Sequence, residues 1–208
     1  MKATSLVTLT LLTGVGCAYP LPPPDLPVEI QVQDTYSDGE YAAITQSNDE
    51  WNAVCDVYLG KKCGHIVGRF HDPDGFTLAD LNRQDGHFTY RNSDLESAQE
   101  LSGNADVFGE GTRDFVVVWA DLLRADLMQE VSDQGVAFSE DLYLQAFKSV
   151  VEHEYGHHFG VDHVMDDGNR PLMAPAMDPL YPQTGITARD ILALCNSRGD
   201  CIKDPPKP

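Results

Sequence analysis

Val150 to His163 reads VVEHEYGHHFGVDH, a stretch holding four of the seven histidines in a chain of 208 residues. It ends a segment, Leu142 to Gly160, with no proline and with no glycine before Gly156, which predicts one continuous helix. Ser139 is placed to cap that helix, and Glu140 and Asp141 suit the positive end of its dipole. Ala146, Val150, His153 and His157 follow at intervals of four, three and four, so they share one helical face. That face is apolar at its start and imidazole-lined at its end. His153 and His157, one turn apart, can meet a single ion from the same side, and Glu154 is placed to reach a water beside that ion. A straight helix would carry His163 away from the ion. Gly160 tolerates the left-handed conformation needed to turn the chain back. His158 lies off the ligand face and reads as an ordinary polar residue.

Two histidines on zinc with a glutamate between them as general base is the mechanism carried by H-E-x-x-H spacing. The longer run HEYGHHFGVDH, His153 to His163, fits H-E-x-x-H-x-x-G-x-x-H and so resembles the signature of the metzincin metalloproteases. The resemblance implies His153, His157 and His163 as zinc ligands. It makes Glu154 the base that activates a zinc-held water for hydrolysis of a peptide bond. It also implies a methionine turn beneath the metal, with Met173 in PLMAP, Pro171 to Pro175, as the candidate and Met177 in reserve. PLMAP and TARDILALC, Thr187 to Cys195, look most similar to the matrixins, the second to their last helix with Asp190 in its first turn. Ala174 stands where matrixins carry an aromatic residue, and Val164 where they carry serine.

From the same resemblance, Pro175 to Tyr181 is expected to line the pocket for the residue after the scissile bond, with Pro175 and Tyr181 as its wall. An extended substrate is expected along an edge strand, supplied either by the segment before Trp119 or by Glu110 to Asp114. The resulting expectation is a zinc endopeptidase acting on polypeptides as a monomer. Its alternative is a zinc-holding surface lipoprotein that binds without turnover. Glu154 argues against that alternative, because a pure binding site needs no base beside the metal.

Outside this stretch, VEIQVQD, Val28 to Asp34, alternates apolar and polar residues and predicts a strand with one buried face. Ser37 and Asp38 predict the start of a helix carrying Tyr41, Ala42, Ile44, Trp51 and Val54, despite the polar QSND in its middle. HIVGRF, His65 to Phe70, predicts another strand. DFVVVWADLL, Asp114 to Leu123, is the most apolar run after the leader and predicts a central or nearly central strand. His71 to Asn104 reads as loop-rich. Its Asp72, Asp74, Asp80, Asp85 and Asp94, set among glycine and asparagine, form a pattern that can wrap Ca²⁺, although EF-hand spacing is missing. A weaker reading uses His71 and His87 in a second, structural zinc site. The order of elements predicts an α+β, metzincin-like fold: a mixed twisted sheet with an active-site zinc helix and a C-terminal helix, in one domain over residues 28–202.

With 33 acidic residues against 14 basic ones, the net charge of −19 repels phosphate backbones and anionic lipid, which excludes nucleic-acid and electrostatic membrane binding. Lys2 followed by the apolar Leu6 to Val15 reads as an export signal over residues 1–17. Gly14-Val15-Gly16-Cys17 resembles a bacterial lipobox, with Gly14 where leucine is usual, and makes Cys17 a lipidation candidate. Residues 18–27 read as a proline-rich linker and 203–208 as a loose tail. The chain is therefore expected to be exported, extracellular or in the cell envelope, touching a membrane only through such an anchor. Cys55, Cys63, Cys195 and Cys201 allow three disulfide connectivities. An oxidising compartment favours Cys55 with Cys63 and Cys195 with Cys201, and neither pair has the spacing of a zinc knuckle.

Overall fold

The computed structural model describes residues 23–72, 86–92, 108–165, 170–175, 178–183 and 185–207. Strand β1 (Val28–Gln33) leads into helix α1 (Asp38–Leu59), followed by β2 (Gly64–Phe70), β3 (His87–Arg91), β4 (Gly109–Gly111) and β5 (Phe115–Val118). Three further helices complete the described chain: α2 (Ala120–Asp133), α3 (Glu140–His158) and α4 (Ala188–Arg198). The strands form one mixed sheet in the order β2-β1-β3-β5-β4. The first four are parallel to one another, and β4 runs antiparallel to β5 along one edge.

Local chemistry explains where the helices start. Ser37 caps α1 in a reciprocal box with Glu40, Ser139 caps α3 through Leu142 N–H, and Thr187 caps α4 in a second box with Asp190. The polar QSND stretch does not break α1, because its side chains are used in packing. Ser47 Oγ donates to the carbonyls of Ala43 and Lys148 at 3.0 and 3.3 Å, which brings α1 close against α3. One turn on, Asn52 donates to Gly64 O at 2.9 Å and accepts from the N–H groups of Cys63 and Gly64, tying the helix to β2.

The alternation of side chains divides the core between the two faces of the sheet. Val28, Ile30 and Val32 of β1, with Val116 and Val118 of β5, pack against Ile44, Trp51 and Phe147 of the helices. Phe115 and Val117 point the other way, joining Phe88, Tyr90 and Trp119 in a second cluster. Strand β5 is thus covered on both faces, which is why its sequence is continuously apolar. Each fully buried Val, Leu, Ile or Phe contributes about 1.5–3 kcal/mol against leaving it in water.

Two sequence expectations need correction. The apolar run from Asp114 to Leu123 is not one strand: β5 ends at Val118, and α2 begins at Ala120. The change of period is hidden because the inward residues of α2, Leu123, Leu127 and Val131, follow straight on from the strand's valines. Trp119 at the junction offers no side-chain cap that would mark the start of a helix. Within the segment read as loop-rich, His87–Arg91 is β3, which lies in the middle of the sheet between β1 and β5. Its five residues are too few for alternation to stand out between polar neighbours.

Cys55 is bonded to Cys63, joining the end of α1 to the start of β2, and Cys195 is bonded to Cys201, tying α4 to the segment after it. Asp74, Asp80, Asp85 and Asp94 lie outside the described residues, as do Cys17 and Met177. Among the described residues no helix is long and apolar enough to cross a membrane.

Candidate metal centre

Helix α3 reaches its last turns fully packed. Tyr143, Phe147, Val151 and Tyr155 are wholly buried, which fixes the helix in rotation and so sets the direction of the neighbouring stripe that carries the histidines. On that stripe His153 Nε2 and His157 Nε2 lie 3.1 Å apart. The helix stops at Phe159, and Gly160 takes φ +94°, the left-handed conformation that turns the chain back. Val161 is then buried, its N–H donating to Gly156 O, and His163 Nε2 arrives 3.1 Å from His157 Nε2. Among the described residues this trio is the one group of three histidine, cysteine or carboxylate side chains set to share an ion.

Hydrogen bonds fix which nitrogen faces the centre. His153 Nδ1 donates to Leu172 O and His157 Nδ1 to Val161 O, both at 2.8 Å. With the proton on Nδ1, each Nε2 presents a lone pair, so two acceptors face each other with no hydrogen between them. A cation relieves that contact. Zinc–nitrogen bonds of about 2.0–2.1 Å in a tetrahedral site imply N–N edges near 3.3 Å, within a few tenths of the separations observed. Burial holds the imidazoles neutral, as ligands must be. His153 is pushed down to about 4 by burial, and His157 well below the usual range by burial and then by its two neighbours; His163, the most open of the three, is lowered by burial. The donor set fits zinc.

The segment of Met173, the candidate for a methionine turn, packs against the same helix. Met173 is completely buried, and its sulfur packs against Gly156, where a Cβ would overlap it. Asp190 of α4 holds this turn. Its Oδ2 accepts from Leu172 N–H at 3.0 Å and its Oδ1 from Met173 N–H at 2.9 Å. The same Leu172 supplies the carbonyl that orients His153, so α4 supports the centre through two hydrogen bonds in series.

Glu154 is buried on the same helix, against β4. Burial pushes its carboxyl well above the usual range, the charge of Glu110 adds to this, and a hydrogen bond from the Gly111 N–H opposes it. A cation held by the imidazoles would act in the same sense as that hydrogen bond. A small apolar cavity opens beside this turn, lined by Phe108, Leu123, Ala146, Val150, Pro179 and Pro182. Tyr181 is 58% exposed and Pro175 also lies at the surface, so the cavity walls here are Pro179 and Pro182 of the same segment.

His158 points away from the trio, its Nδ1 donating to Thr112 O at 2.7 Å, in keeping with the bystander role. His71 lies against Asp34 and His87 against the Arg113 carbonyl, and neither joins a second cluster among the described residues. Of the two candidates for the edge strand, the sheet order selects the one that includes Glu110. Sequence reasoning passed over Gly109 and Gly111; the Gly-Glu-Gly spacing ahead of the most apolar strand was the available signal.

No protein-family model matches the chain, and no curated protein matches it. Among solved structures it is similar to the crystal structure of archaemetzincin from Methanopyrus kandleri, with a TM-score of 0.50 and 15% identity. That match covers 81% of this chain and 93% of the other. The fold is metzincin-like. At this identity the likeness concerns the fold alone, and the histidine cluster stands as a separate observation from the chain's own side chains. In a metzincin-like frame the trio sits where one long helix ends and a glycine turn returns the chain toward it.

Proposed function

We propose that the chain is a zinc-dependent endopeptidase, with His153, His157 and His163 as ligands and Glu154 as general base. The observation that carries the reading is the convergence of three Nε2 atoms one helical step from a buried carboxylate. Zinc held there supplies Lewis acidity, polarising a carbonyl and lowering the pKa of water toward neutrality. Glu154 accepts the proton of the attacking water at a carboxylate oxygen and delivers it to the leaving amine nitrogen. The Nδ1–H bonds to Leu172 and Val161 keep the two helical imidazoles in the tautomer that leaves Nε2 free. Strand β4, antiparallel at the sheet edge beside Glu154, suits an extended polypeptide.

A matrixin-like affinity, export through residues 1–17 and a lipid anchor at Cys17 belong to the same proposal. The paired disulfides favour an oxidising compartment, and the buried Met173 with Asp190 beneath it favours the matrixin-like turn.

The test is casein or peptide-library hydrolysis by the purified chain, with chelation and zinc add-back, beside Glu154→Gln. The variant should bind zinc with unchanged stoichiometry and lose turnover by roughly three orders of magnitude or more, as expected when a positioned base is removed. An active Gln variant sinks the assignment. Tight zinc binding with no cleavage across a broad peptide library would instead favour a binding module.

A further inference from the structure

Strand β4 presses against the helical turn that carries the base. A Cβ built on Gly109 would lie 2.7 Å from Glu154 Cγ, 2.8 Å from Glu154 Oε1 and 2.9 Å from Val150 Cγ1. One built on Gly111 would overlap the Glu154 carbonyl oxygen and come within 3.0 Å of its Cα. Non-bonded carbon atoms rest at about 3.5–4.0 Å, so neither position has room for a methyl group. The reason is space and not backbone conformation, because neither glycine has a left-handed φ. Retreat is also blocked, since β4 is paired with β5 from Gly109 opposite Val118 to Gly111 opposite Val116. The contact carries a directed bond as well, from Gly111 N–H to the Glu154 carboxylate.

We propose that Gly109 and Gly111 are positioning residues for Glu154, together making β4 a clamp on its carboxylate. Gly109 sets how near the carboxyl can lie to the strand, and Gly111 both admits the helix backbone and holds the carboxylate through its amide. The inference rests on Glu154 being the base, and it assigns to an edge strand two roles, one toward the base and one toward the peptide. None of the three atoms nearest either missing Cβ belongs to His153, His157 or His163, so the two positions are the ones to use for separating base from metal by mutation.

The experiment is a double-mutant cycle in the full chain between Gly109→Ala and Glu154→Ala. It reads thermal stability, zinc affinity by chelator competition, and kcat and KM separately. Gly109→Ala should keep zinc affinity and KM within about threefold and lower kcat on the order of 100-fold, the scale of a misplacement near 1 Å. In the Glu154→Ala background, where the Cγ and Oε1 contacts are gone, Gly109→Ala should lower Tm by less than half as much as in the wild type. Equal Tm losses in both backgrounds, or an unchanged kcat, would overturn the proposal. If Gly109→Ala alone does not fold, Val150→Ala is added to remove the other contact. Folding of the triple variant but not of Gly109→Ala/Val150→Ala then supports the clamp, and identical behaviour of the two overturns it. Should the wild type bind zinc and cleave nothing, the peptidase reading fails on its own, while the stability coupling still decides whether the strand holds the carboxylate.

Discussion

Gly160 is the residue on which the third imidazole depends. With φ at +94° and Pro23 Cβ only 2.6 Å from where its own Cβ would sit, an alanine there is both strained and crowded. Gly160→Ala should cost about 1–3 kcal/mol, the range for a residue forced into sparsely populated backbone space. It should also weaken zinc binding by tenfold or more, as His163 swings away. Thermal melts and chelator competition separate the two effects, and a lower Tm with unaltered zinc affinity would remove His163 from the ligand set. Asp190 acts at a distance of 17 and 18 residues in sequence, accepting from Met173 and Leu172 and from Thr187. Asp190→Asn points an amide N–H₂ at these donors and should cost about 2–4 kcal/mol, as for a buried charged acceptor lost. Because Leu172 O orients His153, zinc affinity should drop roughly 10- to 100-fold as well. The histidine pair of α3 was legible in sequence because helical geometry converts a spacing of four into a shared face. Asp190 was visible only as a residue in the first turn of a helix, since nothing local reveals what else it holds.

Among the elements, α3 was predicted from its caps and its unbroken run, whereas β3 and the start of α2 were missed where short length or a hidden change of period erased the signal. Arg124 of α2 grips Glu140 at the start of α3 through two bonds of 2.7 Å and stacks on Tyr143 at 3.8 Å from the ring centre. The guanidinium holds the Glu140 carboxyl below its usual range. A carboxylate with a lowered folded pKa adds stability above its unfolded value and loses it as pH falls through the folded one. Glu140→Gln should therefore lower stability slightly at pH 7, by under about 1 kcal/mol for so exposed a pair. The gap should narrow as the pH falls below the ordinary carboxylate value and through the lowered folded one. A gap that is constant from pH 7 to pH 3 would show that the charge contributes nothing.

At the scale of the molecule, the two disulfides close short loops, of sequence separations 8 and 6. Each should contribute about 2–3 kcal/mol on the chain-entropy model. Replacing both pairs by serine should lower Tm on the order of 10–20 °C in a chain of this size, read by calorimetry on zinc-loaded samples. An unchanged Tm would show that the bridges do not stabilise this fold. What the sequence by itself determined is what depends on local geometry: the histidine spacing on one helix, the glycine that lets the chain turn back, the caps of α1 and α3, and the pairing of near cysteines. Tertiary structure alone decided the order of strands, the central place of β3, the grip of Asp190 on the methionine turn and the pressing of Gly109 and Gly111 against Glu154. Those depend on contacts between residues tens of positions apart, and glycine in particular leaves no local mark of a neighbour that needs its missing side chain.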